Sequence, residues 1–326
     1  MPGSTRSCGT TTCSGTQTCA LSADRSSSSF GDCIPSSPVF ADRNLDLAVH
    51  ANLGVPANQP IPGELALELS YLSASDAGIS NLEGIQCLTS LTAVDLPRNA
   101  IGNVAPLATL RGLTSISLDD NPIADITPLQ SLTALEWLSL FQVGPVSNQE
   151  LSSIAALPGL TYLNLAYDQI ANASVLGTVR SLTTLDLEGN SLTDVSWVSS
   201  LSNLEDLDVS ANALADVSVV TQLPRLSSLG VGYNPLTDVS FISSLRPLTG
   251  LFIADLGLTN LSLLRNQTGL GLLDLTSNPL VDISLLDSFT ELSVLYLYST
   301  GVSCNQAVLA RLAARVETLL TDCPNL

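Results

Sequence analysis

Asp186, Glu188, Asp206 and Asp208 are the side chains whose type and spacing come nearest to chemistry in this 326-residue chain. Asp186 and Asp208 are 22 residues apart, and Asp206 lies 22 residues after Thr184, so these positions match within a recurring segment. Carboxylates held side by side can act as acid and base toward a glycosidic bond, or can take a hard cation such as calcium. The first use needs a cleft that excludes water, and the second a loop that wraps the ion. A patch complementary to arginine or lysine on a partner needs neither, and nor does plain solvation of a lysine-free surface. Trp137, Phe141, Tyr162 and Tyr167 come shortly before the acids and would supply the apolar part of such a contact. Other reactive groups are scarce: one histidine, His50, and no glycine-rich phosphate loop, H-x-x-x-H or paired C-x2-C. No catalytic residue, metal ligand or cofactor is assigned. His50, beside Val49, is read as a surface residue.

The element that must position these residues is a repeat. From Val179 the chain runs VRSLTTLDLEGNSLTDVSWVSS, LSNLEDLDVSANALADVSVVTQ, LPRLSSLGVGYNPLTDVSFISS, and two further copies follow with the same period of 22. The L-x-x-L-x-L-x-x-N-x-L core resembles that of leucine-rich repeats, in which each repeat is one turn of a solenoid that buries its apolar side against its neighbours. Repeats start at 66, 88, 110, 132, 157, 179, 201, 223, 245, 267 and 289, the first degenerate and the fourth three residues longer. The expected fold is α/β: a right-handed solenoid with one parallel concave sheet, short 3₁₀ or extended convex segments, and helical caps at both ends. Within each repeat, positions 4, 7 and 9 are the buried strand side. Position 12 is Asn99, Asn121, Asn190, Asn212, Asn234 or Asn278, read as an amide ladder that satisfies the turning backbone. The ladder breaks at Val143, Asp168, Leu256 and Thr300, where irregularity is expected, and the long repeat should bulge at Gly144 to Glu150. At position 16, Asp or Asn followed by Ser or Thr reads as a turn cap in preference to a metal ladder.

Thirty acids against 11 arginines give a net charge of −19, which repels phosphate backbones and anionic lipid alike. Nucleic acid is excluded as a partner, and no apolar run is long enough to span a bilayer. The cysteines fall at Cys8, Cys13, Cys19 and Cys33, at Cys87, and at Cys304 and Cys323. Cysteines gathered at chain ends read as staples of an oxidising compartment, with pairs among the first four. Cys304 and Cys323 are expected to be bonded. A single straight helix would hold them about 28 Å apart, so the chain must turn back near Ala313 to Arg315 and return as an extended segment over the helix start. The domains are then a disulfide-rich module over 1–37, a capping helix and linker over 38–65, eleven repeats over 66–303, and a disulfide cap over 304–326.

Phe40, Asp42, Leu45, Ala48, Val49, Leu53 and Gly54 match F-x-D-x-x-L-x-x-A-V-x-x-x-L-G. With the repeats, this resembles the N-terminal cap of internalin-like bacterial leucine-rich-repeat proteins. The stretch from Pro2 to Cys33 resembles a cysteine-rich module of secreted or lipid-anchored proteins of soil bacteria such as myxobacteria, with Phe30 where tryptophan is common. The resemblance implies binding of a host or neighbouring-cell protein through the concave sheet. On this reading Trp137, Phe141, Tyr162, Tyr167, Asp186, Glu188, Asp206 and Asp208 form the contact patch for a protein with a basic or apolar surface. The chain is expected to be monomeric and secreted or held at the bacterial surface, although MPGSTRSC shows no export signal. A structural spacer without a ligand is the alternative, and a carbohydrate-active enzyme ranks below both.

Overall fold

A computed structural model describes residues 18–21, 30–34 and 37–323. Two compact units are present, Met1–Gly144 with Ala156–Leu160, and Pro145–Ala155 with Thr161–Leu326. In the first unit, β1 (Thr18–Leu21) and β2 (Phe30–Ile34) pair antiparallel with Cys19 opposite Cys33. The bonds expected among Cys8, Cys13, Cys19 and Cys33, and most of the cysteine-rich module, lie outside the described residues. Cys87 is itself disulfide-bonded.

Helix α1 spans Arg43–Leu53. Its start is set by Asp42, whose Oδ1 accepts the N–H groups of Asn44 (2.7 Å) and Leu45 (3.2 Å). The other oxygen, Oδ2, accepts from the Ser80 amide and hydroxyl and the Asn81 amide, so one carboxylate caps the helix and fastens it to the first repeat. Those bonds hold its pKa below the usual value against the opposing effect of burial. Gly54 ends the helix at φ 67°, a left-handed cap. Leu45 and Val49 are fully buried, as the i, i+4 spacing requires. Asn52 meets the free edge of the first repeat strand, donating to the Ser73 carbonyl at 3.0 Å and accepting its N–H at 3.3 Å. His50 is not on the surface: only 5 % of it is exposed. Gly54 turns the chain back over α1, and that covers a position which one-helix geometry leaves open.

After the short helix α2 (Gly63–Ala66), each repeat supplies one strand. In the first unit these are β3 (Tyr71–Ser73), β4 (Ala93–Asp95), β5 (Ser115–Ser117) and β6 (Trp137–Ser139), parallel and in strict 22-residue register. The second unit continues with β7 (Tyr162–Asn164), β8 (Thr184–Asp186), β9 (Asp206–Asp208), β10 (Ser228–Gly230), β11 (Gly250–Phe252), β12 (Leu272–Asp274) and β13 (Val294–Leu297). Adjacent strands pair in the same register. Opposite them the 22-residue repeats carry short 3₁₀ turns such as Ser196–Ser200 and Ser218–Gln222. Position 16 starts these turns: the side chains of Asp194, Asp216, Asp238 and Asp282 each accept the amide two residues on at 2.7 to 3.0 Å. The extra length of the fourth repeat forms a helix, α3 (Asn148–Ala155), where a bulging loop was expected. Ser147 and Glu150 make a capping box, with the Ser147 amide and hydroxyl both donating to Glu150 Oε2 and the Glu150 amide returning to Ser147 Oγ.

The amide ladder is present in both units. Asn278, fully buried, accepts from the amides of Leu256 and Leu258 and donates to the carbonyls of Ile253, Leu275 and Thr276. Asn99, Asn121, Asn190, Asn212 and Asn234 bind the preceding turn in the same way. The residue just before, position 11, is left-handed in all eleven repeats, with φ between 52° and 67° from Asp76 to Ser299, yet only Gly189 is a glycine there. Where the ladder lacks asparagine, position 13 turns left-handed as well, at Gly78, Gly144, Gln169, Gly257 and Gly301. The expected irregularity thus has a definite form. The backbone turns left-handed once more at these rungs, mostly at glycine, which adopts that conformation without steric cost.

At the far end α4 (Ala307–Ala313) buries Leu309 and Leu312 completely. The chain turns at Ala314 and Arg315 as expected, and the Cys304–Cys323 disulfide is formed with its Cα atoms 5.5 Å apart. The returning segment does not cover the start of α4. It becomes β14 (Thr318–Thr321), which pairs parallel with β13 and extends the sheet by one rung.

Candidate functional site

In the second unit β7, β8 and β9 lie side by side, so that Asn164, Asp186 and Asp208 form one row and Tyr162, Thr184 and Asp206 another. Parallel pairing brings such rows to about 4.8 Å between neighbours. Asp186 accepts the Glu188 amide at 3.0 Å and Asp208 accepts the Ser210 amide at 2.8 Å, each carboxylate folding back on its own strand end. Asp208 has room because Gly230, its neighbour on β10, lacks a side chain; a Cβ there would collide with the carboxylate. Tyr167 closes one end of the patch. Its φ of 62° swings the side chain onto the sheet face, its hydroxyl donates to Glu188 Oε1 at 2.8 Å, and its ring lies against Gly189, where any Cβ would clash.

The electrostatics follow from this crowding. Burial raises the Asp186 pKa to about 6, helped by the charges of Asp208 and Glu188 and opposed by the Glu188 amide. Burial likewise raises Asp208 and Asp206. The Tyr167 hydroxyl is pushed up to about 12, first by its bond to Glu188, then by burial and the neighbouring carboxylates. Among the described residues no group of three His, Cys, Asp or Glu is placed to hold a metal ion. None of the unit's arginines (Arg180, Arg225, Arg246, Arg265, Arg311 and Arg315) falls in a strand, so the acids have no cation beside them on the sheet.

A native state that holds Asp186 at a pKa of about 6, against 3.8 for the free carboxyl, binds more protons than the unfolded chain between those values. Its contribution to stability is therefore greatest at low pH and falls as pH rises through that window. Asp186→Asn keeps an acceptor for the Glu188 amide. It is expected to flatten this slope and to add about 2 kcal/mol at pH 7. Urea unfolding from pH 4 to pH 8 checks it, and an unchanged slope would show that Asp186 is not the group responsible.

Of the eight residues read as a contact patch, Tyr162, Tyr167, Asp186, Glu188, Asp206 and Asp208 share the sheet face of the second unit. Trp137 and Phe141 belong to the first unit, on and just after β6. There the Phe141 amide (2.9 Å) and Ser139 Oγ (2.6 Å) both donate to Asp119 Oδ1. Ser117, Ser139, Ala166, Ser210 and Ala254 each follow a buried strand residue, where alternation would leave them open, yet they are buried too. Sequence reasoning missed Tyr233, which is 46 % exposed. It occupies position 11, as Tyr167 does, and the left-handed turn there presents it. A tyrosine recurring at that one position was the available signal.

The general leucine-rich-repeat family profile matches residues 180–236. An internalin from Listeria monocytogenes is similar at 26% identity with a TM-score of 0.67, over 87% of this chain and 90% of that one. The chain is similar to internalins in its leucine-rich-repeat fold. Two more distant structures share the fold. One is a leucine-rich-repeat protein of Leptospira interrogans, at 20% identity and TM-score 0.60, over 79% of this chain and 68% of that one. The other is the ectodomain of the Arabidopsis thaliana membrane receptor kinase GASSHO1, solved in complex with Casparian strip integrity factor 2. It is 19% identical at TM-score 0.55, over 80% of this chain and 37% of the receptor. No curated protein matches the sequence. The internalin-like cap expected from Phe40 to Gly54 is the observed α1 with its Asp42 start and Gly54 end.

Proposed function

We propose that this internalin-like protein is a recognition module that binds a protein or peptide partner through the sheet face of its second unit. The observation that carries this is the cluster of Asp186 on one strand and Asp206 and Asp208 on the next, edged by Tyr167 and Glu188, with no arginine in any strand of that unit. Such a face attracts arginine or lysine side chains, and the tyrosine supplies apolar area at low entropic cost. Trp137 and Phe141 offer a second, apolar contact on the first unit. A receptor of the same fold solved in complex with a partner agrees with this use of the scaffold.

The place of action that fits is outside the cytoplasm, at a bacterial surface or in its surroundings. The support is chemical: Cys304–Cys323 and the bonded Cys87 persist where thiols are oxidised. No helix among the described residues is long and apolar enough to cross a membrane. Covered ends, by α1 and by α4 with β14, suit a monomer.

Cell-surface extracts passed over wild-type protein and over Asp206→Arg are expected to give different captured partners. The partner lost should bind the variant at least about tenfold more weakly, since a like charge replaces an opposite one. Identical partner lists and affinities, with the variant folded, would leave the spacer reading in its place.

A further inference from the structure

The one histidine of the chain sits in a setting that only its cation satisfies. The His50 ring is buried on the inner side of α1, with Nδ1 2.8 Å from the Asp46 carbonyl oxygen and Nε2 2.8 Å from the Gln59 carbonyl oxygen. Both partners are acceptors, and a neutral imidazole carries a single N–H. One of the two contacts would then set a lone pair against a carbonyl oxygen, away from water that could relieve it. The imidazolium donates to both. Asp46 Oδ1, 3.4 Å from Nδ1, supplies the compensating charge.

Gln59 lies in the turn Val55–Ile61, which runs back over the helix. Its other described ties are few: the Val55 amide to the His50 carbonyl, the Gln59 amide to the Pro56 carbonyl, and the buried Ile61. We propose that His50 is a proton-dependent latch that holds this turn on α1, so that the cap over the first repeat tightens as pH falls and loosens as it rises. Because α1 also closes the β3 edge through Asn52, the latch reaches the end of the repeat stack. The overlying turn carries no titratable side chain. The charged groups of the flanking helices are Arg43 and Asp46 on α1 and Glu64 on α2, with Glu68 beyond it, and Asp46 is the charge that acts on the ring. The histidine pKa is raised, chiefly by the Gln59 bond, with burial opposing and Asp46 assisting. A raised folded-state value means that the stabilisation is complete below the unfolded value of 6.5 and is lost as pH climbs through the folded one.

Since no other histidine is present, nitrogen-15 spectra of the imidazole report His50 alone. The expected result is two protonated ring nitrogens at pH 6.5 and a titration midpoint above it. A neutral single tautomer at pH 6.5, or a midpoint below it, overturns the latch. Hydrogen exchange of the Val55 and Gln59 amides supplies the second readout, corrected for the intrinsic effect of pH. Protection is expected to fall by about tenfold per unit by which the midpoint exceeds 6.5, on passing from pH 6 to well above the midpoint. In His50→Gln protection should no longer depend on pH. Equal protection at both pH values in the wild type also overturns the proposal. The wild-type measurements need no variant to fold.

Discussion

Replacing Asn278 with alanine is expected to lower the stability of the second unit by about 3 kcal/mol, because buried backbone groups then lose their only side-chain partner. The carboxamide accepts from the Leu256 and Leu258 amides and donates to Ile253 and Leu275, and no water can replace it at a site with no exposed surface. The turn it supports, around Leu256 and Gly257, already departs from the regular pattern and has no asparagine of its own. Asn260→Ala is the contrast. That side chain is exposed and accepts one bond, from the Ser262 amide, so its loss should cost under about 1 kcal/mol. Denaturant unfolding of both variants decides the matter. Equal losses would mean that the ladder does not carry the turns.

Cutting the C-terminal disulfide, by Cys304→Ser with Cys323→Ser, is expected to lower stability on the order of 3 kcal/mol, the effect of opening a loop of about 20 residues. The loss should be local. In a repeat stack each turn leans on its neighbours, so an opened end frays inward while distant turns stay protected. Hydrogen exchange should accelerate in α4, β14 and β13 and stay unchanged in β7 to β9. The cap would not fall away entirely, because Arg311 pairs with Asp287 and Arg315 donates to the carbonyls of Phe289 (2.6 Å) and Leu286 (2.7 Å). Uniform acceleration along the unit would show that the disulfide acts on something other than the end.

A period of 22 was sufficient, before any coordinates, to determine the strand of every repeat, its buried leucines, the amide ladder and the capping role of position 16. The reason is that these features are local or strictly periodic: alternation assigns the faces, and identical spacing leaves one register. Asp42, Gly54 and the turn near Ala314 were legible for the same reason, each being set by a few neighbouring residues. Other features depended on which segments meet in space. Asp, Arg, Ala and Tyr all stand at position 11, so composition does not announce a left-handed residue there; the bonds of the adjoining turn impose it, and with it the exposure of Tyr167 and Tyr233. The Ser147–Glu150 box could be read, but three extra residues become a helix only where the core has space for one. Whether the returning C-terminal segment covers a helix or joins a sheet is decided by the open edge of β13, which no residue of that segment encodes. Trp137 and the acids are close in sequence order, yet they belong to different units. His50 looks like a surface side chain on one helix and becomes a buried, doubly bonded ring because a turn nine residues later lies across it.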